Sequence, residues 1–172
     1  GRLEAFKRLL QATPPNTGLA FVLVPHLDPH HESLLVELLA KHSAMPVTEA
    51  QDGQVIKADQ VYVIPPNRYL SIERGALRLS TPPASVGQST VIDFFLRSLA
   101  DAYRERAIGV VLSGTGVHGT LGLRAIKGRG GLAVVQQPES AEYEQMPRSA
   151  IADGSPDYVL TPEAMAETLI QY

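Results

Sequence analysis

Residues Ala107 to Gly122 read AIGVVLSGTGVHGTLG, and this stretch decides the fold. The apolar run Ala107–Leu112 reads as a strand buried on both faces. Gly114, Gly116 and Gly119 then make a tight turn, and LGLRAIK, from Leu121, opens a helix. The glycines carry the spacing G-x-G-x-x-G, and Glu139 follows about twenty residues on, as a dinucleotide site asks. Two features weigh against that reading. Such a fingerprint belongs to the first βα turn of its unit, whereas this one lies late in the chain, and the spacing recurs easily in glycine-rich sequences. A strand-to-helix turn that needs glycine's conformational freedom is the simpler account. His118, in the middle of the turn, is explained by neither.

Outward from this unit the same alternation continues. Leu3–Ala12 places Leu3, Phe6, Leu9 and Leu10 on one helical face, and Leu19–Val24 is a buried-strand run. DPHHESLLVELLAKH reads as a helix with Asp28 as N-cap and Pro29 at its first position. MPVTEA and QVYVIP are short strands, and RYLSIERGALRLS is a hairpin turning at Gly75. TPPASVGQST is a loop. IDFFLRSLADAYRER is an amphipathic helix leading into Ala107–Leu112. Beyond the glycine turn come the strands GLAVVQQ and YVLTP and the helix EAMAETLIQ. Apolar strands separated by helices predict an α/β fold with a mostly parallel, doubly wound sheet, flanked by helices and carrying a small antiparallel hairpin.

Composition narrows the function. Hydrophobic residues make up 44% and charged residues 19% of 172, which is a globular balance with room for one domain. A net charge of -3 with mixed signs favours neither nucleic acid nor an anionic membrane surface. No apolar run approaches a membrane span, and no signal peptide is visible, which fits a cytoplasmic protein. The absence of cysteine excludes disulfides, thiolate chemistry and Cys-bound zinc. The chain begins on Gly1 rather than Met, as a trimmed or processed piece of a longer protein does.

In a parallel sheet the working residues gather on loops beyond the carboxyl ends of strands. Here those are PHLDPHH after Val24, PPNR after Ile64, SGTGVHG after Leu112 and QPES after Gln137. His26, Asp28, His30, His31 and Glu32 lie close together, but a metal would need His26 to converge with one of the others. His30 and His31 read as solvated helix surface. His26, directly after a buried strand, stands where a catalytic imidazole sits.

With His26 and the glycine turn together, the chain resembles the CheB protein-glutamate methylesterase catalytic domain from end to end. LVPHLDPHHESLL resembles the family's His-bearing segment. VTEAQDGQVIKADQVYVIPPNRYL, VIDFFLRSLA, GVVLSGTGVHGTLGLRAIKGRGG and QQPESAEYEQMPRSAIADGSPDYVL follow the remaining motifs in order. SGTG and DPHHESLL are most similar to CheB domains within hybrid proteins that also carry methyltransferase, PAS and sensor-kinase modules.

The resemblance implies a Ser-His-Asp hydrolase that releases methanol from glutamate methyl esters on chemoreceptor signalling helices and deamidates receptor glutamines. It implies partners that are methylated receptor helices and fused modules; no cofactor, metal, nucleic acid or membrane insertion is expected. His26 carries over as general base. The nucleophile does not: the family's G-x-S-x-G-G is represented only by Gly1-Arg2, which places the serine and its strand ahead of residue 1, so that residues 1–172 form a single domain lacking that segment. Ser113 matches an ordinary threonine and lacks the preceding glycine of a nucleophile elbow. His118 occupies the aspartate position. Asp93 and Glu139 are alternative acids. Gly114, Thr115 and Gly116 are expected to donate N–H groups to an oxyanion or simply to shape the turn, and Met146 to border the substrate cleft or fill the core.

Overall fold

The computed structural model describes residues 3–25, 34–81 and 90–172. His26, Asp28, His30, His31 and Glu32, with most of the loop after Thr81, lie outside the described residues.

The helices are α1 (Glu4–Ala12), α2 (Leu35–Ala40), α3 (Val91–Tyr103), α4 (Thr120–Gly128), α5 (Gln145–Ala152) and α6 (Pro162–Gln171). The strands are β1 (Phe21–Leu23), β2 (Val47–Glu49), β3 (Val61–Val63), β4 (Tyr69–Glu73), β5 (Ala76–Ser80), β6 (Ile108–Val111), β7 (Leu132–Gln136) and β8 (Tyr158–Leu160). Local chemistry sets several boundaries. Thr90 caps α3 by accepting the Asp93 N–H, and Thr161 caps α6 by accepting that of Ala164, with Pro162 at the first helical position. The hairpin turns through Arg74 and Gly75, both with positive φ, as a two-residue turn matched to strand twist requires. Helix α5 was not expected, because Pro147 punctuates its sequence. In the first turn, however, proline's missing N–H costs nothing.

The parallel strands form two three-stranded sheets, in order β1-β3-β2 and β6-β7-β8, and β4-β5 is an antiparallel ribbon. The fold is therefore the expected α/β arrangement of mostly parallel strands flanked by helices, with its antiparallel pair. Centre strands β3 and β7 are buried along their whole length. Side chains alternate between two covering layers. Val111, Ala133 and Val135 pack with α3, α4 and α5, whereas Leu112, Leu132 and Val134 pack with α1 and α6. In the other sheet Leu23, Val61 and Val63 meet Leu10, Leu35 and Leu39, and Tyr62 faces the hairpin and Phe95.

Among the described residues, few side chains serve both halves. Phe6 and Phe21 contact the core of each on one face, and Val24, Leu99 and Tyr103 do so on the other.

Candidate active site

The carboxyl ends of β1 and β6 face one another across the gap between the two sheets, the kind of switch point at which open α/β sheets bind ligands. Val24 and Pro25, which follow β1, join Ser113, Gly114 and Met146 in the wall of a cavity of about 700 Å³.

The loop after β6 is held by hydrogen bonds to the entry of α5. Gly114 donates its N–H to the Tyr143 carbonyl at 3.0 Å and accepts the Met146 N–H at 3.0 Å. Gly116 donates its N–H to Gln145 Oε1 at 2.6 Å. The amides of both glycines are thus engaged within the loop, and half-buried Thr115 lies between them. Glycine is required at 114 by close approach, since a Cβ there would lie 2.2 Å from Met146 Sδ. At Gly119 the reason is double: φ is +96°, and a Cβ would lie 2.8 Å from Val111. These glycines shape a turn and admit neighbours, which accounts for the spacing without a nucleotide.

Ser113 is locked into the same network. Its hydroxyl accepts the Tyr143 N–H at 2.9 Å and donates to the Tyr143 carbonyl at 3.3 Å. Its own N–H donates to Gln136 Oε1 at 2.8 Å. Gln136, 1% exposed, donates its amide to Ser140 O and Oγ. One buried side chain therefore ties the ends of β6 and β7 and the turn at Pro138–Ser140. Sequence reasoning passed over Gln136. The signal was present, as a glutamine ending the run LAVV, where a polar side chain needs buried partners.

Asp93 is 4% exposed, and both its oxygens are occupied. Oδ1 accepts the Gly122 N–H at 2.7 Å, and Oδ2 accepts the Thr90 hydroxyl at 2.8 Å. The carboxylate thus serves the first turns of α3 and α4 together, where helix dipoles favour an anion. It acts as a joint between helices. Glu139 is exposed, on the turn after β7.

His118 is half-buried between β6 and α4, its ring folded back so that Cδ2 and Nε2 lie 3.2 Å from where a Gly116 Cβ would stand. Met146 is 5% exposed and packs in the core while also lining the cavity. The structure therefore brings Gly114 to Met146 and Gly116 to His118. His26 lies outside the described residues. Among the described residues no His, Asp and Glu side chains group to hold a metal ion, and no helix is long and apolar enough to cross a membrane.

A parallel α/β domain with its candidate site on loops at the gap between two half-sheets is thereby defined. The chain belongs to the CheB methylesterase family, whose model matches residues 1–169. A putative protein-glutamate methylesterase/protein-glutamine glutaminase of Leptospira interrogans is 37% identical over 176 residues, spanning 99% of this chain and 89% of that protein. An uncharacterized 104.1 kDa protein of Rhodobacter capsulatus is 41% identical over 138 residues, spanning 80% of this chain but 14% of its own length. The crystal structure of the Thermotoga maritima CheB methylesterase catalytic domain superposes with a TM-score of 0.88 at 30% identity, covering 97% of this chain and 90% of that one.

Proposed function

We propose that the domain is a protein-glutamate methylesterase and glutamine deamidase whose triad is weakened at its acid. The observation that carries the reading is His118, which stands in the β6–α4 loop at the aspartate position of the family resemblance. In this mechanism a serine from polypeptide outside residues 1–172 attacks the ester carbonyl, and His26 takes the hydroxyl proton. His26 then gives that proton to the departing methoxide, which leaves as methanol, and water hydrolyses the acyl-enzyme by the reverse transfers. The third group must orient His26 and stabilise its cation. A neutral imidazole at 118 accepts a hydrogen bond but supplies no negative charge, and losing that charge in a serine triad costs about 10⁴-fold in turnover. Against Asp93 as a replacement stand its burial between α3 and α4 and the hydrogen bonds it already accepts from Gly122 and Thr90.

The same substitution favours a second reading: a non-catalytic signalling module that keeps the fold and cleft. The proposed partners are methylated chemoreceptor helices in the cytoplasm, with methyltransferase, PAS and kinase modules in the same polypeptide. The large Rhodobacter relative supports a multi-module setting.

Methanol release from methylated receptor by the protein carrying its serine segment separates the readings. Low turnover that rises by up to about 10⁴-fold in His118→Asp supports the impaired esterase. Equal, brisk turnover in both proteins overturns the assignment of His118, and silence in both supports the module.

A further inference from the structure

The loop after β6 is fastened to the entry of α5, and one of the fastenings is a side chain. Tyr143 donates its N–H to Ser113 Oγ at 2.9 Å, and Met146 donates its own to the Gly114 carbonyl at 3.0 Å. Between these two residues the Gln145 side chain reaches further along the loop, where its Oε1 accepts the Gly116 N–H at 2.6 Å. The backbone bonds on either side give that carboxamide a fixed base. A carboxamide accepts only through its oxygen, which settles which end faces the loop.

Beyond this point α4 and α5 continue side by side in one register. Thr120 and Ser149 share a hydroxyl hydrogen bond of 2.7 Å, and Arg124 pairs with Asp153. Both pairs are 29 positions apart, as Gly116 and Gln145 are. Gln145 is thus the first rung of a polar ladder, and its rung lands on the loop where the other two land on α4.

The peptide it engages carries His118. Gly116 has a φ of +81°, and the His118 ring folds back over it, with Cδ2 and Nε2 3.2 Å from the place a Cβ would take. A shift of the Gly116 peptide therefore moves the surface on which the imidazole rests. Gln145 is itself exposed. One hydrogen bond at an exposed site adds little to overall stability and costs side-chain entropy, so what this one supplies is local order.

We propose that Gln145 is a positioning residue for His118: by taking the Gly116 N–H it sets the direction of the imidazole in the β6–α4 loop. Turnover depends on Gln145 only through that ring. This role in turnover rests on the reading of His118 as the third group of the triad, whereas the hold on the ring does not.

The test uses the protein carrying its serine segment. Gln145→Met keeps length and bulk and removes the acceptor, whereas Gln145→Glu keeps an acceptor oxygen. In Gln145→Met, hydrogen exchange at the Gly116 amide should quicken by about tenfold or more, and the carbon-bound ring resonances of His118 should shift or broaden. The melting temperature should move by no more than about 2 °C. For methanol release, kcat should fall by about tenfold at unchanged KM. Gln145→Glu should restore slow exchange at Gly116 and a single sharp set of ring resonances. Unaltered exchange in Gln145→Met, a loosened Gly116 with an unmoved ring, or a rise in KM at constant kcat would overturn the proposal. Absence of turnover in the parent protein would remove the proposed function, and the amide and ring readouts would still decide whether Gln145 holds His118.

Discussion

The Asp93 carboxylate accepts the backbone N–H of Gly122 at 2.7 Å, so a residue in the first turn of α3 completes the hydrogen bonding of the first turn of α4. The two helices also touch at side-chain level, because a Cβ on Gly122 would lie 2.6 Å from Leu96. Removing the carboxylate strands one buried amide and weakens the α3 cap. Asp93→Ala is therefore expected to lose about 2 kcal/mol in urea denaturation. Asp93→Asn, which keeps an oxygen for Gly122, is expected to lose less than half as much.

Gly114 and Met146 test close approach. Gly114→Ala sets a methyl against the Met146 sulfur and should destabilise the domain by about 1–3 kcal/mol. Met146→Ala alone costs about 2–5 kcal/mol through the cavity it opens. The double variant should be more stable than the sum of the two losses predicts, because each change relieves the other. Strict additivity in a thermal double-mutant cycle would count against the contact.

Ser113→Ala removes the hydroxyl that Tyr143 both donates to and accepts from, for a loss of about 1 kcal/mol. On the proposal that the nucleophile lies outside residues 1–172, methanol release by the serine-bearing protein should stay within a few-fold of its starting value. Gln136→Leu is harsher. It leaves the Ser113 N–H without its partner and removes the link to Ser140, and should cost about 1–3 kcal/mol by chemical denaturation.

Among the described residues, three carboxylates are held below their ordinary values and contribute to stability at the acid end. Hydrogen bonds from Arg8 hold Glu163 below its ordinary value of 4.5, against the opposing effect of burial. Arg124, then Ser155, lower Asp153 below 3.8. At Asp157 burial pushes upward, but the Ala133 N–H and the Lys127 ammonium pull further down. Each group is depressed in the folded chain, so its contribution is complete above the ordinary carboxylate range and fades as pH falls through the lowered values. Melting temperature should be flat from about pH 7 to pH 5 and drop below pH 4. The drop should be shallower in Lys127→Ala and Arg8→Ala.

Much of this architecture can be read from the chain because parallel strands announce themselves. AIGVVL and QVYVIP are short, apolar and bounded by turn residues, and the Arg74-Gly75 turn specifies its hairpin locally. Helix α5 escaped because proline at its third position looks like a stop, though there it forfeits no bond. The division of the sheet escaped for another reason: strand order depends on contacts between distant segments, which periodicity does not encode. At the site, the strand-end placement of the β6–α4 loop was visible in the pattern of glycines. What sequence could not supply was the use of each polar group. Asp93 reads in the sequence as an alternative acid, and its hydrogen bonds to Gly122 and Thr90 are visible only in the fold. Gln136 drew no notice, because an amide's partners are set by tertiary structure.

Among the described residues, Phe6, Phe21, Val24, Leu99 and Tyr103 are partly buried side chains that pack against the cores of both half-sheets. Whether the domain melts as one cooperative unit therefore depends on these stitches. Truncating Phe21 to alanine should separate the calorimetric from the van't Hoff enthalpy, as two blocks come apart at different temperatures.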